Sequence, residues 1–115
     1  GYFNGNYTPP YRGFDSYFGY YLGNEDYFWH NRTDTADGKP EGDGFDFRNN
    51  TQPAFINDTY STYIYGNMTL DILKQYSMDT NPNKSPFFVY LPFQAVHNPL
   101  QAPQNVINSF YNVTI

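Results

Sequence analysis

Residues 87–93 read FFVYLPF, an uninterrupted apolar run bounded by turn-forming residues. A run of this kind has the composition of a strand buried on both faces, as in a parallel sheet covered by helices. It narrows the folds open to the chain, because such a strand needs a helix before or after it. Upstream, STYIYGNMTLDILKQYS at residues 61–77 supplies one. Tyr65, Met68, Thr69, Ile72, Leu73 and Tyr76 recur at spacings of three and four and form one face. Asn67, Asp71, Lys74 and Gln75 take the other side. Ser61 or Thr62 offers an N-cap oxygen, and Gly66 weakens the helix by about 1 kcal/mol relative to Ala. The turn-rich MDTNPNKSP joins helix to strand. Helix, short connector and buried strand in that order predict an α/β fold.

In such sheets ligands bind beyond the carboxyl ends of the strands. His97, in FQAVHNPLQAP, follows the end of the apolar run. Its placement fits a hydrogen-bond donor or general acid facing an anionic substrate. A loop histidine tied to a backbone carbonyl is the competing reading. The other histidine, His30, adjoins a stretch rich in small residues and is expected to be structural.

The remaining segments carry weaker signals. GYFNGNYTPPYRG, residues 1–13, reads as a loop. FDSYFGYYLGNEDYFWH follows neither helical nor strand periodicity and predicts short strands and turns, with Phe14, Tyr17, Phe18, Leu22 and Trp29 as packing candidates. Residues 30–50 are small, acidic and glycine-rich and read as a solvated surface loop. Asp34, Asp37 and Asp43 hint at a calcium loop, but Ala36 occupies a ligand position and the EF-hand spacing fails. The tail predicts a short helix near Val106 to Tyr111. No internal repeat is visible.

The formal net charge is -5, and the six Lys and Arg residues are scattered. With no basic stripe to neutralise phosphates, nucleic acid is not an expected partner. The absence of cysteine removes disulfides, thiolate metal sites and thiol nucleophiles. No apolar run approaches the roughly 18 residues of a membrane span. No signal peptide is evident, and a start at Gly1 reads as a mature product or a fragment. Aromatic residues make up 22% of the chain, much of it Tyr, which packs its ring and keeps its hydroxyl paired or wet. That composition suits a large polar surface or a groove that contacts sugars.

Seven asparagines stand in the N-x-[ST] context: Asn6, Asn31, Asn49, Asn57, Asn67, Asn83 and Asn112. Random placement of the Asn, Ser and Thr present gives roughly 1.7 such triplets. The excess points to N-glycosylation and hence to a lysosomal or secreted protein. Asn83 is the weakest candidate, because Pro86 follows its triplet.

Several chemistries lack their residues. There is no G-x-S-x-G elbow, no glycine-rich phosphate loop, and too few His and Cys for a zinc site. Glu25, Asp26 and Glu41 are available for paired-carboxylate hydrolysis, but nothing singles out two of them.

Two stretches carry a resemblance. RGFDSYFGYYLGNEDYFWH, residues 12–30, and PFFVYLPFQAVHNPLQAP, residues 86–103, are similar to segments of arylsulfatase B-type sulfatases, and DFRNN and YSTYIYGNMTLDIL fit their order. The resemblance covers essentially the whole chain. It implies an alkaline-phosphatase-like α/β fold, of which residues 1–115 are an internal piece, incomplete at both ends, of one catalytic domain. It further implies a sulfuric ester hydrolase acting on aryl sulfates or sulfated carbohydrate, such as N-acetylgalactosamine 4-sulfate in glycosaminoglycans. By that resemblance His97 matches the family's sulfate-contacting histidine. The formylglycine made from a C/S-x-P-x-R motif, the Ca2+ ligands and the assisting lysines would all lie outside this chain. The cysteines of many relatives are missing here, so no disulfide carries over. The piece alone is expected to be inactive. The alternative is a degenerate, glycosylated carbohydrate-binding protein without catalysis, which the full-length sequence would reveal by lacking the formylglycine motif.

Overall fold

The computed structural model describes the backbone of residues 5–36 and 39–111, and the side chains of those residues outside 33–43. The chain opens with two 3-10 turns, Gly5–Tyr7 and Pro9–Arg12, where a loop is expected from composition. Pro at the first helical positions and Gly13 at φ 95 bracket the second turn, as the fixed φ of Pro and the left-handed freedom of Gly favour.

Among the described residues five strands follow: β1 (Phe18–Tyr20), β2 (Asn31–Ala36), β3 (Lys39–Phe45), β4 (Phe47–Asn49) and β5 (Gln52–Pro53). They form a three-stranded sheet in the order β1-β4-β5 and a two-stranded β2-β3 ribbon, every pairing antiparallel. Residues 31–36 and 39–45 therefore pair as strands and run into a sheet strand, where the sequence predicts a loop. The reason is visible at the end of β3. Phe45, Asp46 and Phe47 alternate apolar and acidic, so both rings point to one side. Phe47 is fully buried at the centre of the core with Ile64 and Tyr65, and Phe18, Phe45, Ala54, Ile56 and Met68 pack around them. Asp46 turns the other way and accepts the N–H groups of Tyr21 and Leu22 at 3.0 and 2.7 Å, closing the turn after β1. Asp37 lies outside the described residues, as do the side chains of Asp34, Asp43 and Glu41.

Helix α1 (Ser61–Met78) matches the periodic segment. Its N-cap is Tyr60, without a side-chain cap, rather than Ser61 or Thr62. The Ser61 N–H instead donates to the Tyr27 carbonyl at 2.8 Å, so tertiary structure satisfies an amide that a cap would have taken. The predicted face is covered at its two ends and open between them, Tyr76 being half-buried against Phe87 and Lys84. Tyr65 is buried and Met68 partly so, whereas Ile72 and Leu73 are exposed. Ile64 joins the core from outside the predicted face. At the other end Lys84 donates to the carbonyls of Tyr76 and Asp79 at 2.8 and 3.0 Å, placing a cation where the helix dipole is negative. Helix α2 (Gln104–Ser109) begins slightly earlier than the sequence predicts.

The apolar run at 87–93 is not a strand among the described residues. It has the composition of one, but a strand is defined by neighbours that pair its N–H and C=O groups, and none of the described strands does so. Phe87, Phe88, Tyr90 and Phe93 are exposed. With α1 and the β1 region the run borders an open groove of about 850 Å³ whose walls include Tyr20, Tyr65, Met68 and Tyr90. Of the packing candidates near the start, Phe18 packs on the core, while Phe14, Leu22 and Trp29 are exposed.

Candidate functional site

The loop that carries His97 is held by one short turn, residues 24–27. Gln94 is buried, and its side-chain amide donates to the Glu25 carbonyl at 2.6 Å. The His97 N–H closes back on the Gln94 carbonyl at 2.8 Å. The Tyr27 hydroxyl donates to the His97 carbonyl at 3.0 Å, and the Asn24 side chain donates to the Asn98 carbonyl at 3.1 Å. Gln101 uses both ends of its amide: its oxygen accepts the Tyr27 N–H at 2.8 Å, and its nitrogen donates to Asp26 Oδ2 at 2.6 Å. Tyr60, stacked on Tyr27 with ring centroids 5.3 Å apart, donates to the Gln101 carbonyl at 3.1 Å. The peptide bonds Ala95–Val96 and Asn98–Pro99 are cis.

His97 itself is exposed. Its Nδ1 lies 2.9 Å from the Asn98 carbonyl. A carbonyl oxygen only accepts, so the proton sits on Nδ1, and among the described residues Nε2 makes no hydrogen bond. The competing reading of His97, a loop histidine tied to a backbone carbonyl, describes its Nδ1 contact.

The turn is itself braced. Asp26 Oδ1 accepts the N–H groups of Phe28 and Trp29 at 2.9 and 2.8 Å. Burial works to raise the Asp26 pKa, but the hydrogen bonds from Gln101 and from these amides outweigh it and hold the carboxyl below its usual value. Arg32 donates to Asn24 Oδ1 at 2.6 Å.

Beneath the turn lies a buried polar cluster. Glu25, His30 and Tyr65 are 1%, 0% and 7% exposed. The Tyr65 hydroxyl donates to Glu25 Oε1 at 3.1 Å. His30 Nδ1 lies 3.6 Å from the same oxygen, within ion-pair range but too long for a hydrogen bond. The His30 ring stacks on Phe47 with centroids 4.2 Å apart. Burial pushes the Glu25 carboxyl above its usual pKa, and His30 and the Tyr65 hydroxyl offset only part of that. Burial, then the Glu25 charge, pushes Tyr65 up as well. His30 is structural, as expected, but as a core group rather than a loop residue.

This arrangement excludes Glu25 and Asp26 as an open carboxylate pair, since one is buried and the other is engaged by three donors. Among the described residues no three His, Cys, Asp or Glu side chains gather to hold a metal ion. The supporting residues Asn24, Asp26, Tyr27 and Gln101 were not legible as a site. For the first three the one signal was a polar NEDY interrupting an aromatic stretch, whereas Gln101 lies in the histidine loop FQAVHNPLQAP.

Six of the seven glycosylation candidates, Asn6, Asn31, Asn49, Asn57, Asn67 and Asn83, are exposed, and Asn112 lies outside the described residues. Among the described residues no helix is long and apolar enough to cross a membrane.

No family model matches the chain, and no solved structure matches it. Among curated proteins it is 35% identical over 115 residues to Arylsulfatase J of Mus musculus. The aligned region covers 98% of this chain and 18% of that relative, so the chain spans less than a fifth of the relative's length. This similarity supports reading the chain as a piece of a sulfatase, and it does not single out the B-type.

Proposed function

We propose that the chain is an internal piece of a secreted or lysosomal sulfuric ester hydrolase with an alkaline-phosphatase-like fold, and that His97 binds the sulfate group of the substrate. The observation that carries the reading is the state of His97: an exposed residue whose Nδ1 is fixed on the Asn98 carbonyl, with no hydrogen bond to Nε2 among the described residues. Similarity to an arylsulfatase along nearly the whole chain supplies the substrate class. With Nδ1 donating to Asn98, contact with a sulfate oxygen through Nε2 requires the doubly protonated ring. That form places a fixed positive donor where negative charge develops as the ester bond breaks. Aryl sulfates and sulfated carbohydrates, including N-acetylgalactosamine 4-sulfate, are the substrates proposed. The exposed sequons support a glycoprotein of the secretory pathway. The formylglycine and the Ca2+ ligands belong to parts of the protein beyond this chain, and calcium, when bound there, would polarise the sulfate.

The test is hydrolysis of a chromogenic aryl sulfate by the full-length protein containing this segment. Turnover supports the reading. A folded full-length protein with no turnover and no C/S-x-P-x-R motif contradicts it. That outcome would favour the second reading, a glycosylated carbohydrate-binding protein, for which the tyrosine-lined groove beside α1 is the specific observation.

A further inference from the structure

We infer that Gln101 is a positioning residue for His97, acting through the Asp26–Tyr27 turn. The inference rests on the reading of His97 as the sulfate contact. The loop between Gln94 and Gln101 is anchored at both ends on residues 25–27, and the His97 and Asn98 carbonyls are caught between the anchors. The Asn98 carbonyl has two donors, Asn24 and His97 Nδ1, so the orientation of the imidazole follows the placement of that carbonyl. Gln94 is buried and locked by the core beneath it. Gln101 is only half-buried, and it holds the far end through its side chain and the Tyr60 contact to its carbonyl. An amide is the one side-chain type of this length that accepts from an N–H and donates to a carboxylate at once. Leu does neither. Glu keeps the acceptor and the volume but sets a second carboxylate against Asp26. Misplacement of a contact group by about 1 Å costs on the order of a hundredfold in rate, so a far tether is expected to register in turnover.

The experiment measures kcat and KM for a chromogenic aryl sulfate in the full-length protein, with His97→Ala, Gln101→Leu, Gln101→Glu and the His97→Ala/Gln101→Leu double variant. Gln101→Leu is expected to lower kcat/KM by roughly tenfold to a hundredfold in the otherwise unchanged protein, and by less than about twofold once His97 is gone. Gln101→Glu decides the matter if the leucine variant does not fold. Its loss relative to the unsubstituted protein is greatest near neutral pH and recovers as the pH is lowered and the introduced carboxylate and Asp26 take up a proton between them. Equal losses with and without His97 would mark a purely structural role and overturn the inference, as would a folded Gln101→Glu variant with unchanged kcat/KM throughout. A His97→Ala variant with unchanged kcat/KM, or an unsubstituted protein without turnover, removes the underlying reading instead.

Discussion

At the scale of single residues, the two histidines separate by what surrounds their rings. His97 is exposed and tied to backbone through Nδ1, while His30 is sealed between Phe47 and Glu25. His30 also sits at φ 56, a left-handed conformation that costs a non-glycine residue about 1 kcal/mol or more. Its N–H donates to the Asp26 carbonyl at 3.0 Å, its carbonyl accepts the Asp46 N–H at 3.1 Å, and its ring stacks on Phe47. Truncation by Phe47→Ala removes the ring against which Phe18, His30 and Tyr65 all pack. It is expected to lower stability by about 3–5 kcal/mol, read from urea unfolding of the full-length protein. Glu25 gives a pH signature. Its folded pKa lies above the ordinary 4.5, so between those two values the folded chain keeps a proton that the unfolded chain has released. Glu25's contribution to stability is therefore fully present below about pH 4.5 and is lost as pH rises through the raised value. Glu25→Gln should flatten that fall in a Tm-against-pH series, and an unchanged slope would show that Glu25 is not its source. Asp26 runs the other way: its lowered pKa stabilises above the ordinary 3.8 and is lost in stronger acid. Nothing in the sequence separates these two neighbouring carboxylates. Their difference comes from a tertiary fact, that one points under the turn and the other caps it.

At the scale of elements, legibility followed periodicity. Helix α1 was readable because apolar residues recur at helical spacing over many turns, and its observed bounds differ from the expected ones by a residue. The β2–β3 hairpin was not, because Gly, Asp and Pro dominate it and their local preference is for turns. The one local strand signal nearby is the two-residue alternation of Phe45, Asp46 and Phe47, where β3 gives way to β4 and both rings pack on the core. The apolar run at 87–93 misleads in the opposite sense. Its composition is that of a buried strand, but pairing partners are a property of the whole sheet and cannot be read from one short run. Gly66 offers an element-scale test. It lies inside α1, and a Cβ built there meets nothing within 4 Å. Gly66→Ala should raise stability by about 0.5–1 kcal/mol through reduced backbone entropy of the unfolded chain. A lower Tm would mean that the helix does not run unbroken through this position.

At the scale of the molecule, the chain does not close a core of its own. Its radius of gyration is 17.1 Å and its accessible surface 8716 Å². A closed domain of 13.4 kDa would have a radius of about 13 Å and expose about 6,500 Å². The excess includes Phe88, Tyr90 and the outer face of α1, apolar surface of the kind other protein covers. This agrees with a chain that spans 18% of its curated relative. The family resemblance, and with it the role proposed for His97, was legible from two motifs. The clamp that aims His97 was not, because it joins residues 69 to 75 positions apart. The isolated 115-residue chain is accordingly expected to associate in solution and to show no hydrolysis of an aryl sulfate, measured by sedimentation and by chromophore release. The central claim, that His97 contacts the sulfate, is tested most directly by His97→Ala in the full-length protein. The account predicts a loss in kcat/KM of at least about tenfold with the Tm unchanged. A folded variant with unaltered kcat/KM would contradict it.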